Sequence, residues 1–223
     1  LNGFEQFLRS DWAYSAIVMA NGWLGAANLL QPEAVPVSLI QDIPELDWLP
    51  YATVKMKNFT VGADAALDVA ELYQADPSVQ CLRGELLIRT GDLAAGLAVL
   101  NQVRLGPRAA GYRAAYLCAI AELDRENYDQ AIAIIDARED LKMSVAGVEI
   151  KARIAERLGD VEQALELYAS LGNESIEGLV YQFRHALAED DASTARTFLI
   201  QLIDLAPNEP KFQEWLEQLD AEN

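Results

Sequence analysis

The stretch SVQCLRGELLIRTGDLAAGLAVL, residues 78–100, decides the fold. Val79, Leu82, Leu86 and Leu87 stand at i, i+3, i+7 and i+8, the spacing of one helical face. Gly91-Asp92 then ends that helix and starts another. Glycine accepts the left-handed backbone that closes a helix, and Asp92 offers a carboxylate oxygen to the first amides of the next. Leu93, Leu97 and Leu100 carry the apolar stripe onward. The unit read here is two short helices joined by a tight turn.

Working outward, the same unit recurs. ENYDQAIAIID from Glu126, GDVEQALELYA from Gly159 and DDASTARTFLI from Asp190 follow the pattern of TGDLAAGLAVL from Thr90. GWLGAANLLQ from Gly22 precedes them, and VGADAALDVAELY from Val61 is a weaker copy. The small residues in register are Ala27, Ala65, Gly96, Ala131, Ala164 and Ala195, separated by 38, 31, 35, 33 and 31 residues. A period in the low thirties holds two short helices and two turns, the mark of a helix-pair solenoid. Pro77, Pro107 and Pro207 fall between units, where a missing amide donor costs little. The only segment rich in β-branched residues, 35–43, is cut by Pro36 and followed by Pro44, so an all-α fold is expected.

These residues resemble the tetratricopeptide repeat family. The family's small residue in the first helix is matched by Gly84, Ala119 and Ala152, and its turn by Gly91-Asp92, Asn127-Tyr128 and Gly159-Asp160. Its second-helix Ala is matched by Ala131, Ala164 and Ala195, and its terminal Pro by Pro77 and Pro207. Phe183 departs from the pattern where a small residue is expected, as does Gly96 in place of Ala. The resemblance covers about residues 78–207 and implies a right-handed superhelical solenoid of antiparallel helix pairs. It also implies that first helices line a concave face and second helices a convex one.

Three regions are expected. Residues 1–50 are read as an N-terminal helical pair followed by a segment with Pro32, Pro36, Pro44 and Pro50, either a linker between repeats or a boundary. Residues 51–207 form the array. Residues 208–223 hold a C-terminal helix with Phe212, Trp215, Leu216 and Leu219 on one side; it caps the array or binds a partner. Trp12, Trp23, Trp48 and Trp215 lie toward the two ends of the chain, as packing residues or as anchors for a partner or for self-association.

Composition removes several function classes. The 223 residues carry 17 Lys and Arg against 35 Asp and Glu, a net charge of −18. Such a balance opposes nucleic-acid binding, which begins with neutralising phosphates, and adsorption to anionic membranes. No apolar run reaches the length of a membrane span, since residues 13–30 contain Ser15, Asn21, Gly22, Gly25 and Asn28. That stretch also lacks the basic leader and cleavage site of a signal peptide. Cys81 and Cys118 have no framework or metal spacing and read as buried thiols, which fits a cytoplasmic location. His185 is the only imidazole and is expected at a helix surface beside Glu189. No nucleophile motif, phosphate loop or dinucleotide fingerprint occurs, so neither catalysis nor a cofactor is expected.

The basic residues point to where a partner would lie. Twelve of the seventeen, from Arg9 to Arg184, fall on expected first helices or their ends; Arg104, Arg138, Lys142, Arg196 and Lys211 do not. A first-helix face less negative than the rest favours a protein segment bearing carboxylates. In the N-terminal part of the array the candidate groove residues are Cys81, Glu85, Arg89, Arg113, Tyr116 and Ile120. Further on they are Glu149, Arg153, Arg157, Val180, Tyr181 and Arg184. The competing reading is that these arginines pair along their own helices, as in Glu85–Arg89 and Glu149–Arg153. The expected function is a non-catalytic scaffold or adaptor for a protein partner. The alternative, prompted by a chain that opens on Leu1, is a repeat region with a structural or oligomerising role in a larger enzyme or assembly factor.

Overall fold

Four turns share one geometry, and sequence dictates it. In the computed structural model, which describes residues 49–106 and 108–222, Gly91, Glu126, Gly159 and Asp190 hold φ of 98°, 61°, 76° and 57°. Each amide donates to the carbonyl three residues back, and the following amide to the carbonyl five back, at 2.9 to 3.2 Å. This pair of bonds satisfies the last carbonyls of the preceding helix. Asp92, Asp160 and Asp191 then accept from the amides of Ala95, Gln163 and Thr194, each at 3.0 Å, and start the next helix. Asn127 stands in the same place without such a bond; its Nδ2 donates instead to Glu122 Oε2 at 2.7 Å.

The turns separate helices in strict succession. These are α1 (Leu49–Thr60), α2 (Ala63–Ala70), α3 (Pro77–Arg89), α4 (Leu93–Val103), α5 (Arg108–Asp124) and α6 (Tyr128–Asp136). They continue as α7 (Glu139–Lys142), α8 (Val145–Leu158), α9 (Val161–Leu171), α10 (Ile176–Ala188), α11 (Ala192–Leu205) and α12 (Pro210–Glu222). No strand occurs among the described residues. Neighbours pack on neighbours: α1 on α2, α3 on α4, α8 on α9, α10 on α11, then α11 on α12, while α3 also reaches α1. The one-turn helix α7 is an addition to the two-helix unit, and its Leu141 is fully buried. Pro77 lies inside the first turn of α3, where its missing amide is an orphan anyway.

The chain divides into two compact units, Leu1–Leu117 and Cys118–Asn223. In the first, Val54, Ala66, Val69, Tyr73, Val79 and Leu86 form the core. Gly84 and Gly96 let α3 and α4 cross closely: a Cβ on Gly84 would lie 2.6 Å from Leu100 Cγ, and one on Gly96 2.8 Å from the Gly84 carbonyl oxygen. In the second, Leu179, Phe183, Ala195, Leu199, Phe212 and Leu219 form a core to which α12 contributes its apolar side. Phe183 is large because it meets Trp215 of α12, with ring centroids 5.2 Å apart and planes at 20°. Arg196 ties α11 to Asp220 of α12 at 3.0 Å.

The weak copy from Val61 shifts by one residue. Gly96, Ala131, Ala164 and Ala195 are buried four positions beyond their caps, and the equivalent in α2 is Ala66, fully buried, rather than the half-buried Ala65. The cap there is Gly62, so the count starts one residue later than the sequence alignment assumed. Cys81 and Cys118 are buried and form no disulfide. His185 is half-buried on α10, and Glu189 meets it through the backbone, its amide donating to the His185 carbonyl at 3.1 Å. The N-terminal pair, its prolines before Pro50, Ala27, Arg9, Trp12, Trp23, Trp48 and Pro107 lie outside the described residues.

Candidate partner-binding site

In the first unit, three of the candidate residues come together. Cys81 and Glu85 of α3 and Arg113 of α5 line an open cleft of about 280 Å³ with Tyr51 of α1, Ser78 and Leu82 of α3, and Ala109 and Ala110 of α5. The helical repeat places them: Ser78, Cys81, Leu82 and Glu85 follow the i, i+3, i+4, i+7 spacing of one α3 face, and Arg113 lies three and four residues beyond Ala110 and Ala109 on one face of α5. Arg113 Nε and Nη2 both donate to Glu85 Oε2, at 3.1 and 2.8 Å. That hydrogen bond holds the guanidinium further above its ordinary pKa than burial can pull it down. Burial pushes the Cys81 thiol up to about 11; nearby Arg113 opposes the shift and Glu85 adds to it. Lys55 rests 5.6 Å from the centroid of the Tyr51 ring. Arg89 is exposed and Tyr116 half-buried on the same two helices, outside the cleft lining.

In the second unit, the candidate residues engage partners that sequence spacing did not indicate. Arg153 of α8 is bonded through both Nε and Nη2 to the two oxygens of Glu177 on α10, the Nε–Oε1 distance being 2.6 Å. This pair of hydrogen bonds to a carboxylate raises the Arg153 pKa. Glu149 accepts from Ser175 Oγ at 2.5 Å, while Ser175 caps α10 by accepting from the Gly178 amide at 2.8 Å. Arg157 donates to the Leu123 carbonyl at 2.7 Å and lies 3.6 Å from Asp124. Tyr181 stacks at a tilt on Tyr168, centroids 5.0 Å apart. The Tyr168 hydroxyl is buried with no hydrogen-bond partner, and desolvation, followed by Glu177 and Glu156, raises its pKa. Val180 packs against the apolar core, Ile120 is half-buried, and Arg184 is exposed.

The expected pairing within helices is therefore replaced. Glu85 bonds Arg113 rather than Arg89, and Arg153 bonds Glu177 rather than Glu149. The basic residues still fall where the sequence sorted them: the described ones of the twelve lie on α1, α3, α5, α8 and α10 or directly after α5. Tyr51, Ser175 and Glu177 were missed because each gains its meaning from a partner more than twenty residues away. Ser175 alone had a local signal, as a serine three residues before a glycine at the start of an apolar run.

Among the described residues no group of three or more His, Cys, Asp or Glu side chains is placed to hold a metal ion. No helix among them is long and apolar enough to cross a membrane. No protein-family model matches the chain, and no curated protein matches its sequence.

Proposed function

We propose that this chain is a non-catalytic adaptor that holds a segment of a partner protein against the first helices of its helix pairs. The observation that carries the reading is the cleft lined by α1, α3 and α5, the first helices of three consecutive pairs. An extended segment laid across successive first helices meets equivalent side chains at each step, which is how a repeat array recognises a polypeptide. The four equivalent turns and the close Gly84–Gly96 crossing support a tetratricopeptide-like, right-handed stacking of these pairs. The bonded arginines do not oppose a ligand, because exposed pairs of this kind contribute only about 0.2–1 kcal/mol each.

A photo-crosslinking amino acid placed at exposed first-helix positions, Arg89 and Arg184, and at exposed second-helix positions, Glu166 and Ile200, tests the reading in cells. A protein crosslinked from the first-helix positions and absent from the second-helix ones is the expected result. A protein crosslinked only from Glu166 or Ile200 would place binding on the opposite helices and overturn it.

A further inference from the structure

The first-unit cleft has a composition that specifies its occupant more narrowly. Its floor is the buried Cys81 and Leu82, flanked by Ala109 and Ala110, small or apolar groups that leave a depression of about 280 Å³. That is slightly under the roughly 300–1,000 Å³ of small-molecule pockets and suits one large apolar side chain. The thiol in this floor is 3% exposed and stays protonated near neutrality, so it contributes an apolar wall and no nucleophile.

The border carries one cation for one anion, in a molecule with a large acidic excess. Arg113 lines the cleft with a side chain 54% exposed, and Glu85 is the one carboxylate among the described lining residues. The two bonds that Arg113 makes to Glu85 use Nε and Nη2 and both end on one carboxylate oxygen, so Nη1 stands outside them. In a chain of net charge −18, a lining whose one carboxylate is matched by a half-exposed guanidinium is less negative than the surface at large. A carboxylate meets less repulsion here than elsewhere on the chain and finds a donor in Nη1 of Arg113.

We infer that this cleft recognises a peptide segment that seats one large apolar side chain among Cys81, Leu82, Ala109 and Ala110 and sets an adjacent carboxylate against Arg113. The inference rests on the adaptor reading and narrows it to one ligand chemistry.

A random heptapeptide library displayed on phage, selected on the full chain, is the probe. Enriched peptides are resynthesised and titrated by fluorescence anisotropy against the parent, Ala110→Phe, which fills the depression, and Arg113→Ala. Circular dichroism melting curves establish that each variant is folded; should Ala110→Phe fail that check, Ala109→Leu takes its place. The expected peptides share a large apolar residue with Asp or Glu one or two positions away. Their affinity falls about tenfold with either variant. With Arg113→Ala, exchanging the peptide's acid for Lys no longer changes binding. Enriched peptides without an acid, or with Lys or Arg in its place, overturn the inference. Peptides that bind Ala110→Phe as tightly as the parent also overturn it, while leaving the adaptor reading intact with binding elsewhere. No enrichment over an unrelated control protein overturns the inference as well, and the adaptor reading then stands or falls on the crosslinking result.

Discussion

Glu126 shows how a single residue can work against its own turn. It holds φ 61° in the place that Gly91 and Gly159 occupy in the equivalent turns. A left-handed L-residue costs about 1–2 kcal/mol, and glycine returns part of that through the flexibility it adds to the unfolded chain. Glu126→Gly is therefore expected to stabilise the protein by roughly 0.5–1 kcal/mol. The urea midpoint should rise at unchanged slope. Asp190, at φ 57°, gains less from the same change because aspartate tolerates this region better. Cys81 gives a pH-dependent expectation. Its thiol is raised from 9.0 to about 11, so the folded state retains the proton longer than the unfolded one. That preference does not alter stability below pH 9. Between 9 and 11 the unfolded state binds fewer protons, and stability falls by about 1.4 kcal/mol per pH unit from this group. Iodoacetamide should modify Cys81 far more slowly at pH 8 than a free cysteine, with unfolding by urea restoring the ordinary rate. Rapid modification of the native protein would show that the thiol is accessible and ionised.

At the scale of elements, the short helix α7 depends on an absence. A Cβ added to Gly147 in the first turn of α8 would sit 2.0 Å from the Leu141 carbonyl oxygen, which is backbone and cannot rotate away. Gly147→Ala must separate α7 from α8, and overpacking of this kind costs about 1–3 kcal/mol. A urea midpoint unchanged within error would mean that the two helices are not held this closely. Gly178→Ala is the milder comparison, since its Cβ would meet Tyr168 Cδ1 at 3.1 Å and Ser175 Oγ at 3.2 Å, side-chain atoms farther off than the Leu141 carbonyl is from Gly147. The contrast explains what was legible in the sequence. Gly91-Asp92 and Gly159-Asp160 announce their turns within two residues, and the helix register follows from them. The shift from Ala65 to Ala66 went unseen because Gly62 itself caps α2, in a positive-φ conformation (φ 127°, ψ 175°) unlike that of the Asp and Asn caps after the other turns. Helix α7 has only one turn, too short for periodicity to reveal. In the candidate site, the residue types and their helices were legible, whereas the partners were not. Arg113–Glu85 spans 28 residues and Arg153–Glu177 spans 24, and spacing along one helix carries no information about either.

On the scale of the whole chain, charge sets two opposed tendencies. Nine ion pairs join described residues, and in each at least one side chain is substantially exposed, as with Arg113 at 54% and Asp140 at 53%. Salt weakens such attractions, each worth about 0.2–1 kcal/mol. The excess of carboxylates works the other way. With 35 acids and 17 bases, pairing every base still leaves eighteen negative charges without a cation, and their repulsion opposes the compact state. The ion pairs act over a few ångströms, whereas the excess acts over the whole surface, so screening relieves the repulsion more than it weakens the pairs. At about 0.01 M ionic strength the screening length is roughly 30 Å, and near 1 M it is about 3 Å. Raising sodium chloride across that range should therefore increase stability, by on the order of 1 kcal/mol. Urea midpoints at several salt concentrations measure the sign directly. A steady fall would mean that the paired carboxylates, Glu85 and Glu177 among them, outweigh the unpaired excess. A steady rise would also predict that binding of carboxylate peptides beside Arg113 weakens over the same range in which the fold itself grows stronger. Measured on one sample series, those two trends separate the attraction at Arg113 from the negative field that surrounds it.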